Sequence, residues 1–310
     1  MSSGLALLFP GQGSQSVGMA RDLVARFDVA RAVFEEADDV LGFALGQLCF
    51  EGPQEELTRT ENAQPALVAA GTAVARVVES ELGLTPTWAA GHSLGEFSAL
   101  VCAGSLTLAD ALHVVRERGR AMQEAVPVGV GAMAAIIGLE LADVDQLCRE
   151  AAEDEVVSPA NLNGGGQIVI AGHAAAVDRA ATLAKERGAR RALRLEVSAP
   201  FHCALMAPAA ERLRAALASI SFAPLRFPVF SNVEARAYPG PDHVADLLVR
   251  QVTEPVRWQE SVEALAGAGC ELAVESGPGN VLIALVRRIA PSIRCLPGEN
   301  PELLRQQLEG

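Results

Sequence analysis

Short runs of consecutive apolar residues alternate with longer helical stretches in the outer parts of the chain. The runs at 5–9, 87–90, 228–231 and 271–275 have the length and the apolar character of buried strands. The stretches between them are amphipathic with helical spacing, which is typical of strands that alternate with helices. The outer parts therefore predict an α/β layer built around a largely parallel sheet.

The middle of the chain has a different order of elements. Its pattern predicts strand, helix, strand, strand, helix and strand, at 132–138, 141–152, 156–161, 167–171, 174–187 and 191–197. The order βαββαβ is that of a ferredoxin-like unit. Segments 126–129 and 198–200 contain proline and are predicted to be linkers on either side of this unit. We therefore expect a small domain inserted into a larger one.

The chain is strongly acidic. Its 310 residues carry a formal net charge of −13, with one lysine, Lys185, among 25 basic residues. Nucleic-acid binding depends on concentrated positive charge, so this composition argues against a nucleic-acid partner. An acidic partner would have to dock on a local arginine cluster, such as the arginines within 190–194 or at 287–288.

The apolar runs and the cysteines bear on location. No apolar run reaches the ~20 residues that span a bilayer, and the N-terminal stretch lacks the basic residues of a secretory signal. The six cysteines show no CxxC pair and no spacing suited to zinc. We therefore expect reduced thiols, a cytoplasmic location and no bound metal.

A GxSxG motif marks the first candidate catalytic residue. Ser93 stands between Gly91 and Gly95, where strand 87–90 meets a predicted helix at 94–103. A serine on such a sharp turn is held out for attack on a carbonyl carbon, and the helix N-terminus favours the negative charge that develops. The motif predicts that Ser93 is a nucleophile, against the alternative of a small residue on an ordinary turn.

A second glycine-rich turn follows the first strand. The segment FPGQGSQSVGM lacks the Lys-Ser/Thr of a P-loop and the third glycine of a dinucleotide fingerprint. Its backbone N–H groups would still face the crevice at the carboxyl end of the sheet. The N–H groups of Gln12 and Leu94 could therefore pair as an oxyanion hole. A tight turn with no further role is the simpler alternative.

His202 is the best placed of the five histidines to act as the base that a serine nucleophile needs. It follows the last strand of the predicted small domain, at the seam with the larger domain, where pockets form. A purely structural histidine is the alternative. The order Ser93, inserted domain, His202 fits an α/β hydrolase poorly, so water is not the expected acyl acceptor.

Arg118 is the most informative charged residue. On the predicted helix at 106–122 it falls on the apolar arc, between Ala111 and Val114. An arginine there is costly unless an anion pairs with it. The anion could be a buried Asp or Glu in a structural salt bridge. It could also be a substrate carboxylate, which the bidentate guanidinium suits.

Six segments together resemble the malonyl-CoA:acyl carrier protein transacylases of fatty-acid synthesis and the related acyltransferase domains of polyketide synthases. They are FPGQGSQ, GHSLGE, RERGRAMQ, NLNGGGQIVIAG, HCALM and GPGN, in this order along nearly the whole chain. The resemblance implies an α/β fold with a larger α/β hydrolase-like domain and a mainly parallel sheet, at 1–125 and 200–310. An inserted ferredoxin-like small domain would occupy 126–199.

The same resemblance implies roles for single residues. Ser93 would be the nucleophile and His202 its base, and Gln251 would orient the histidine through its main-chain carbonyl in place of an acid. The remaining implied residues hold the substrate. They are Gln12 and Leu94 as the oxyanion hole, and Arg118, Phe201 and Asn161 as substrate-binding residues.

The resemblance further implies transfer of malonyl from malonyl-CoA to holo acyl carrier protein by a monomer, with no metal or other cofactor, no nucleic acid and no membrane. Phe201 stands where fatty-acid-type enzymes often have Ser, and Asn280 stands where Lys is common. Leu94 and Phe201 would crowd an α-methyl group, so malonyl is expected to be preferred over methylmalonyl. The alternatives are a trans-acting polyketide synthase acyltransferase, a serine thioesterase or esterase, and a catalytically silent module that binds carrier protein.

Overall fold

The computed structural model describes residues 4–309 and contains two separate β-sheets. The strands are β1 Gly4–Phe9, β2 Pro86–Gly91, β3 Gly131–Ile137, β4 Val157–Gly164, β5 Gln167–His173, β6 Arg191–Arg194, β7 Val229–Phe230, β8 Cys270–Glu275 and β9 Arg294–Pro297. The α-helices are α1 Arg21–Arg26, α2 Asp28–Leu41, α3 Leu45–Glu51, α4 Gln54–Thr58, α5 Thr60–Ser80, α6 Gly95–Cys102, α7 Leu108–Glu124, α8 Leu141–Ala152, α9 Ala174–Glu186, α10 Ala207–Leu217, α11 Val244–Gln251, α12 Trp258–Gly267, α13 Val281–Ile289 and α14 Pro301–Glu309. Short 3₁₀ helices cover Ala204–Met206 and Pro241–His243.

The larger sheet is parallel, with the strand order β7-β2-β1-β8-β9. Its central strand β1 is buried from Leu5 to Phe9, as expected for a strand covered by helices on both faces. In the register of the sheet Phe9 lies opposite Gly91, and its neighbour Leu8 lies opposite Glu275. The carboxyl ends of β1, β2 and β8 therefore meet at one edge, where parallel α/β sheets bind ligands.

The smaller sheet is antiparallel, with the order β4-β5-β3-β6. Its chain order βαββαβ is the predicted ferredoxin-like arrangement, and the α/β fold class with two sheets is confirmed. Helices α8 and α9 cover one face, through a core that includes Ile136, Leu147 and Val177. The other face carries Met133 and Val169 and packs near Phe201 and Cys203 of the larger part.

The predicted and observed bounds differ at several strands: β4 continues to Gly164 and β5 to His173, whereas β6 is shorter than predicted. Strand β6 ends at Arg194, although apolar residues continue to alternate to 197, because pairing with β3 stops there apart from one bond from Leu195 N–H to the Met133 carbonyl at 2.9 Å. Strand β9 was not predicted. It is a four-residue edge strand whose sequence, RCLP, carries too few apolar residues to be recognised.

Backbone hydrogen bonds join strand β4 of the small sheet to the segment before α12. Val256, in the segment before α12, donates to the Ala160 carbonyl at 2.9 Å and accepts from the Leu162 N–H at 2.8 Å. A cavity of about 470 Å³, called the acyl cavity below, lies between the small sheet and the carboxyl edge of the large sheet.

Across residues 4–309 we find no helix whose length and apolar character would let it cross a membrane.

Candidate active site

Ser93 lies on a tight turn between β2 and α6. Its φ of +51° is in the left-handed region, which a residue with a side chain adopts only at a cost. The turn is so close that a Cβ on Gly91 would lie 1.9 Å from the carbonyl carbon of Gly95, and a Cβ on Gly95 would lie 2.0 Å from the Phe9 oxygen. Both glycines are therefore required by packing, and together they hold the Ser93 hydroxyl out from the end of the sheet.

His202 contacts Ser93 from the segment that follows the small sheet. Its Nε2 lies 2.7 Å from Ser93 Oγ, and its Nδ1 lies 2.7 Å from the main-chain oxygen of Gln251. A carbonyl oxygen can only accept, so Nδ1 carries the proton and Nε2 is left to accept the hydroxyl proton of Ser93. The group that orients the histidine is therefore the main-chain carbonyl of Gln251 and not a carboxylate.

The environment keeps His202 neutral. Its side chain is buried, and this burial, together with the nearby positive charge of Arg118, lowers its pKa to about 3. The bond to the Gln251 carbonyl acts in the opposite direction but is the smaller effect. At neutral pH the imidazole is therefore an unprotonated acceptor, which is the form that a general base requires.

Arg118 is buried on α7, and its guanidinium is held by neutral groups. Its Nη1 donates to Gln64 Oε1 at 2.8 Å, and its Nη2 donates to Gln251 Oε1 at 2.9 Å and to Ser93 Oγ at 3.2 Å. Burial lowers the pKa of Arg118 to about 10, which still leaves it protonated at neutral pH. Within residues 4–308 no carboxylate lies within 4.0 Å of it, and its Nε donates no hydrogen bond.

This arrangement differs from the structural salt bridge that was the alternative for Arg118. Helix α5 supplies Gln64 at close range because Gly119 on α7 allows it: a Cβ there would lie 2.7 Å from the Thr60 oxygen. The two amide oxygens orient the guanidinium but do not neutralise it. A buried cation without a directly paired anion, 3.2 Å from the hydroxyl of Ser93, is suited to receive a small acyl group that brings its own carboxylate.

Side chains also hold the peptide groups on both sides of Ser93. Its N–H donates to Asn232 Oδ1 at 2.7 Å, and its carbonyl accepts from Gln251 Nε2 at 2.9 Å. Both partners contact Glu96, whose Oε2 accepts from Gln251 Nε2 at 2.5 Å and from the Asn232 N–H at 3.2 Å. Glu96 Oε1 accepts a hydrogen bond from the hydroxyl of Tyr238. Burial raises the pKa of Glu96 to about 7 despite these bonds.

The predicted oxyanion-hole residues line the same cavity. Gln12 and Leu94 both face it, beside Ser93. Across the part of the chain that the structure describes, neither backbone N–H donates a hydrogen bond to another residue. The Gln12 side chain is instead held by Thr60 Oγ1 at 3.2 Å. Two free N–H groups beside the hydroxyl are what a tetrahedral oxyanion needs.

The remaining predicted residues lie around the cavity as follows. Phe201 and Asn161 line it, from the segment before His202 and from strand β4. Gln251 lies behind it, fully buried. His92, next to Ser93 in sequence, points its Nε2 to Asn163 Oδ1 at 2.9 Å and does not bond Ser93. An adjoining cavity of about 520 Å³ shares Gln12, His92 and Asn161 and continues to Asn280 and Arg288.

Sequence reasoning missed Gln64, Asn232 and Glu96, and it missed the side chain of Gln251. Each is a polar residue on an ordinary helix or loop, and nothing local reveals that it is buried. Glu96 alone carried a usable signal. It lies one helical turn before Leu100, at the edge of the apolar stripe of α6. Arg118 likewise is a charged residue on the apolar side of its helix.

Comparison with known proteins gives consistent results. The sequence profile of the acyl transferase domain family matches residues 6–296. The malonyl CoA-acyl carrier protein transacylase of Escherichia coli (strain K12) is 49% identical over 304 residues, which cover 98% of each chain. The structure of the corresponding transacylase from Coxiella burnetii superposes with a TM-score of 0.96 at 43% identity, covering 99% of this chain and 97% of that one. A malonyl-transacylase solved in complex with a type II polyketide synthase acyl-carrier protein superposes with a TM-score of 0.95 at 46% identity, covering 99% of this chain and 100% of that one.

Proposed function

The chain belongs to the acyl transferase family, among the malonyl-CoA:acyl carrier protein transacylases, and we propose that it moves malonyl from malonyl-CoA to the thiol of holo acyl carrier protein through an ester on Ser93. Phosphopantetheine carries that thiol. The order of events is ping-pong, because one serine accepts the malonyl group and then gives it up.

In the first half-reaction, Ser93 Oγ attacks the thioester carbonyl carbon while its proton moves to His202 Nε2. The 2.7 Å separation of these atoms supports direct transfer. The oxyanion of the tetrahedral intermediate faces the N–H groups of Gln12 and Leu94. The C–S bond then breaks, the coenzyme A sulfur takes the proton from His202, and malonyl remains on Ser93 as an ester.

The second half-reaction repeats these steps with a new thiol. The pantetheine thiol gives its proton to His202 Nε2, and its sulfur attacks the ester carbonyl carbon. When the C–O bond breaks, Ser93 Oγ recovers the proton and malonyl leaves as a thioester of the carrier protein. No electron is gained or lost in either half, so the sequence of steps balances without a redox cofactor.

Arg118 binds the free carboxylate of the malonyl group. In malonyl, one methylene separates the carbonyl carbon that Ser93 attacks from the carboxylate. The 3.2 Å distance between Arg118 Nη2 and Ser93 Oγ favours such a short acyl group over a longer dicarboxylic one. This distance, with no carboxylate of residues 4–308 within 4.0 Å of Arg118, is the main support for malonyl as the acyl group.

The surrounding organisation fits the same function. We infer a catalytic domain at 1–125 and 200–310 and a ferredoxin-like domain at 126–199, with Phe201 and Asn161 shaping the acyl cavity between them. The enzyme is proposed to act as a cytoplasmic monomer, without nucleic acid or membrane. The same transfer chemistry would supply either fatty-acid or polyketide synthesis.

The experiment that tests this function separates transfer from hydrolysis. The enzyme is mixed with malonyl-CoA, and the malonyl-enzyme is followed by intact mass with and without holo acyl carrier protein. Transfer to the carrier protein should be much faster than release of free malonate. Faster release of malonate would instead identify a thioesterase, and the absence of any adduct would identify a silent binding module.

A further inference from the structure

Glu96 is a buried carboxylate that the reaction as described does not use. Its side chain is inaccessible to solvent, does not line the acyl cavity and does not touch Ser93 Oγ or His202. In the network of hydrogen bonds, however, only one residue lies between Glu96 and Arg118. Gln251 connects the two, because its Nε2 lies 2.5 Å from Glu96 Oε2 and its Oε1 lies 2.9 Å from Arg118 Nη2.

The orientation of the Gln251 amide decides whether Arg118 Nη2 has an amide oxygen to donate to, whereas Gln64 holds Nη1. An amide has one face that donates and one that accepts, and a guanidinium needs the accepting face. An ionised carboxylate can only accept, so it requires the donating face of the amide to point toward Glu96. The accepting face is then turned toward Arg118. The Ser93 carbonyl, which accepts from the same Nε2 at 2.9 Å, supports the same orientation.

Glu96 is itself fixed from the other side. The hydroxyl of Tyr238 donates to its Oε1, and the Asn232 N–H donates to its Oε2 at 3.2 Å. The carboxylate therefore has partners at both oxygens and cannot rotate away from Gln251 without losing them. The result is one continuous buried path from Tyr238 through Glu96 and Gln251 to Arg118.

We propose that Glu96 is a positioning residue for selection of the acyl group: by orienting the Gln251 amide, it aims the Arg118 guanidinium at the carboxylate of the bound malonyl group. This inference rests on the proposed role of Arg118. It gives the acidic residue three positions after the nucleophile a function in specificity, beyond that of stabilising the first turn of α6.

The test compares malonyl-CoA with acetyl-CoA, which brings no carboxylate. Single-turnover acylation, followed by intact mass, gives the half-saturating concentration and the rate for each donor. Glu96→Gln keeps the shape of the side chain but allows it to donate, so the Gln251 amide can turn over. We expect kcat/KM for malonyl-CoA to fall about 10-fold, the factor expected when one hydrogen bond to a charged group is lost, mainly through a higher half-saturating concentration.

The fall in kcat/KM should be smaller for acetyl-CoA, because acetyl has no carboxylate for Arg118 to bind. Acetyl transfer is then affected only through the hydrogen bond from Gln251 Nε2 to the Ser93 carbonyl. The excess loss for malonyl-CoA measures the action through Arg118. In the Arg118→Ala background that excess should disappear, because the effects of two substitutions are not additive when one residue acts through the other. Tyr238→Phe removes the hydroxyl that holds Glu96 and should shift the ratio of kcat/KM for malonyl-CoA to that for acetyl-CoA in the same direction. This variant provides the same test if Glu96→Gln folds poorly.

Glu275 provides a matched control. It is also a fully buried carboxylate, but it accepts from the Leu282 and Ile283 N–H groups at the start of α13 and has no contact with Arg118. Glu275→Gln should leave the malonyl to acetyl ratio unchanged. Equal losses for both donors in Glu96→Gln, or the same excess in the Arg118→Ala background, would overturn the inference. If Arg118→Ala showed no loss specific to malonyl, the role of Arg118 would fail first and the inference with it.

Discussion

The two walls of the acyl cavity are built on different physical principles. The wall from the large sheet is polar and inaccessible: Arg118 and His202 are 2% and 3% exposed, and a connected set of hydrogen bonds holds them. The wall from the small sheet and the segment after β6 presents Met133, Leu195 and Val197 beside Asn161, and Val197 is 39% exposed. The chemistry therefore depends on a preorganised buried network, whereas the more exposed wall sets the shape of the space and the access to it.

His202→Ala should produce the largest effect, because it removes the only proposed proton carrier from the polar wall. Loss of general acid–base catalysis predicts a fall in transfer rate of about 100- to 10,000-fold. Stopped-flow measurement of coenzyme A release checks this. His173→Ala is the control, since His173 lies on β5 of the small sheet and its Nδ1 accepts from the Val156 N–H. Comparable losses in both variants would refute a special role for His202.

Arg118→Ala should invert the selectivity of the enzyme rather than inactivate it. Removing one partner of a buried charge pair costs ~2–5 kcal/mol, or about 30-fold to several thousand-fold in kcat/KM for malonyl-CoA. Acetyl-CoA turnover should hold steady or rise, because an unpaired buried cation is gone. Arg116→Ala is the control on the same helix, since Arg116 Nη1 donates to the Leu41 carbonyl. Equal loss of malonyl and acetyl transfer in a folded Arg118→Ala protein would make the residue structural.

Phe201→Ala tests the shape of the cavity and should have a smaller effect. One methyl group in a pocket is worth only ~1–3 kcal/mol, so the discrimination against methylmalonyl-CoA is partial. Enlarging the cavity at Phe201 should raise kcat/KM for methylmalonyl-CoA relative to malonyl-CoA by about 10-fold. Parallel assays of both donors measure the ratio, with Leu193→Ala as an exposed control on β6. An unchanged ratio would show that Phe201 does not face the α-carbon.

The pH profile should show the smallest effect. The pKa of His202 is lowered to about 3, so the histidine stays in its basic form as pH falls from 7.5 to 5.5. The pKa of Glu96 is raised to about 7, so any inflection in that range should belong to Glu96. We therefore expect kcat/KM for malonyl-CoA to change by less than about twofold over this range in Glu96→Gln. An inflection near pH 6.5 that persists in this variant would contradict the lowered pKa of His202.

Local pattern was sufficient for the elements that bury apolar side chains. Continuous apolar runs predicted β1, β2, β7 and β8, and helical periodicity predicted α7, which begins after Thr107. The pattern failed where tertiary contacts decide, as at the end of β6 and at β9. An edge strand contributes few side chains to the core, so its sequence carries little signal.

The same distinction applies to the site. Ser93 was predictable because a strand–turn–helix junction with two glycines is local, and Arg118 because it lies on an apolar arc. Gln64 and Asn232 were not, because their partners are 54 and 139 residues away in the chain. A neutral amide that is buried only through such distant contacts has no periodic or compositional signature. Burial of polar groups is therefore the part of this site that required a structure.

The role of Ser93 is tested most directly by locating the malonyl group on the enzyme. The protein is mixed with malonyl-CoA, quenched in acid and digested, and the peptides are mapped by mass spectrometry. We expect one malonyl adduct, on the peptide that contains Ser93, which disappears when holo acyl carrier protein is added before the quench. No adduct should form in Ser93→Ala. An adduct on another peptide, or one that persists in Ser93→Ala, would show that Ser93 is not the residue that carries the malonyl group.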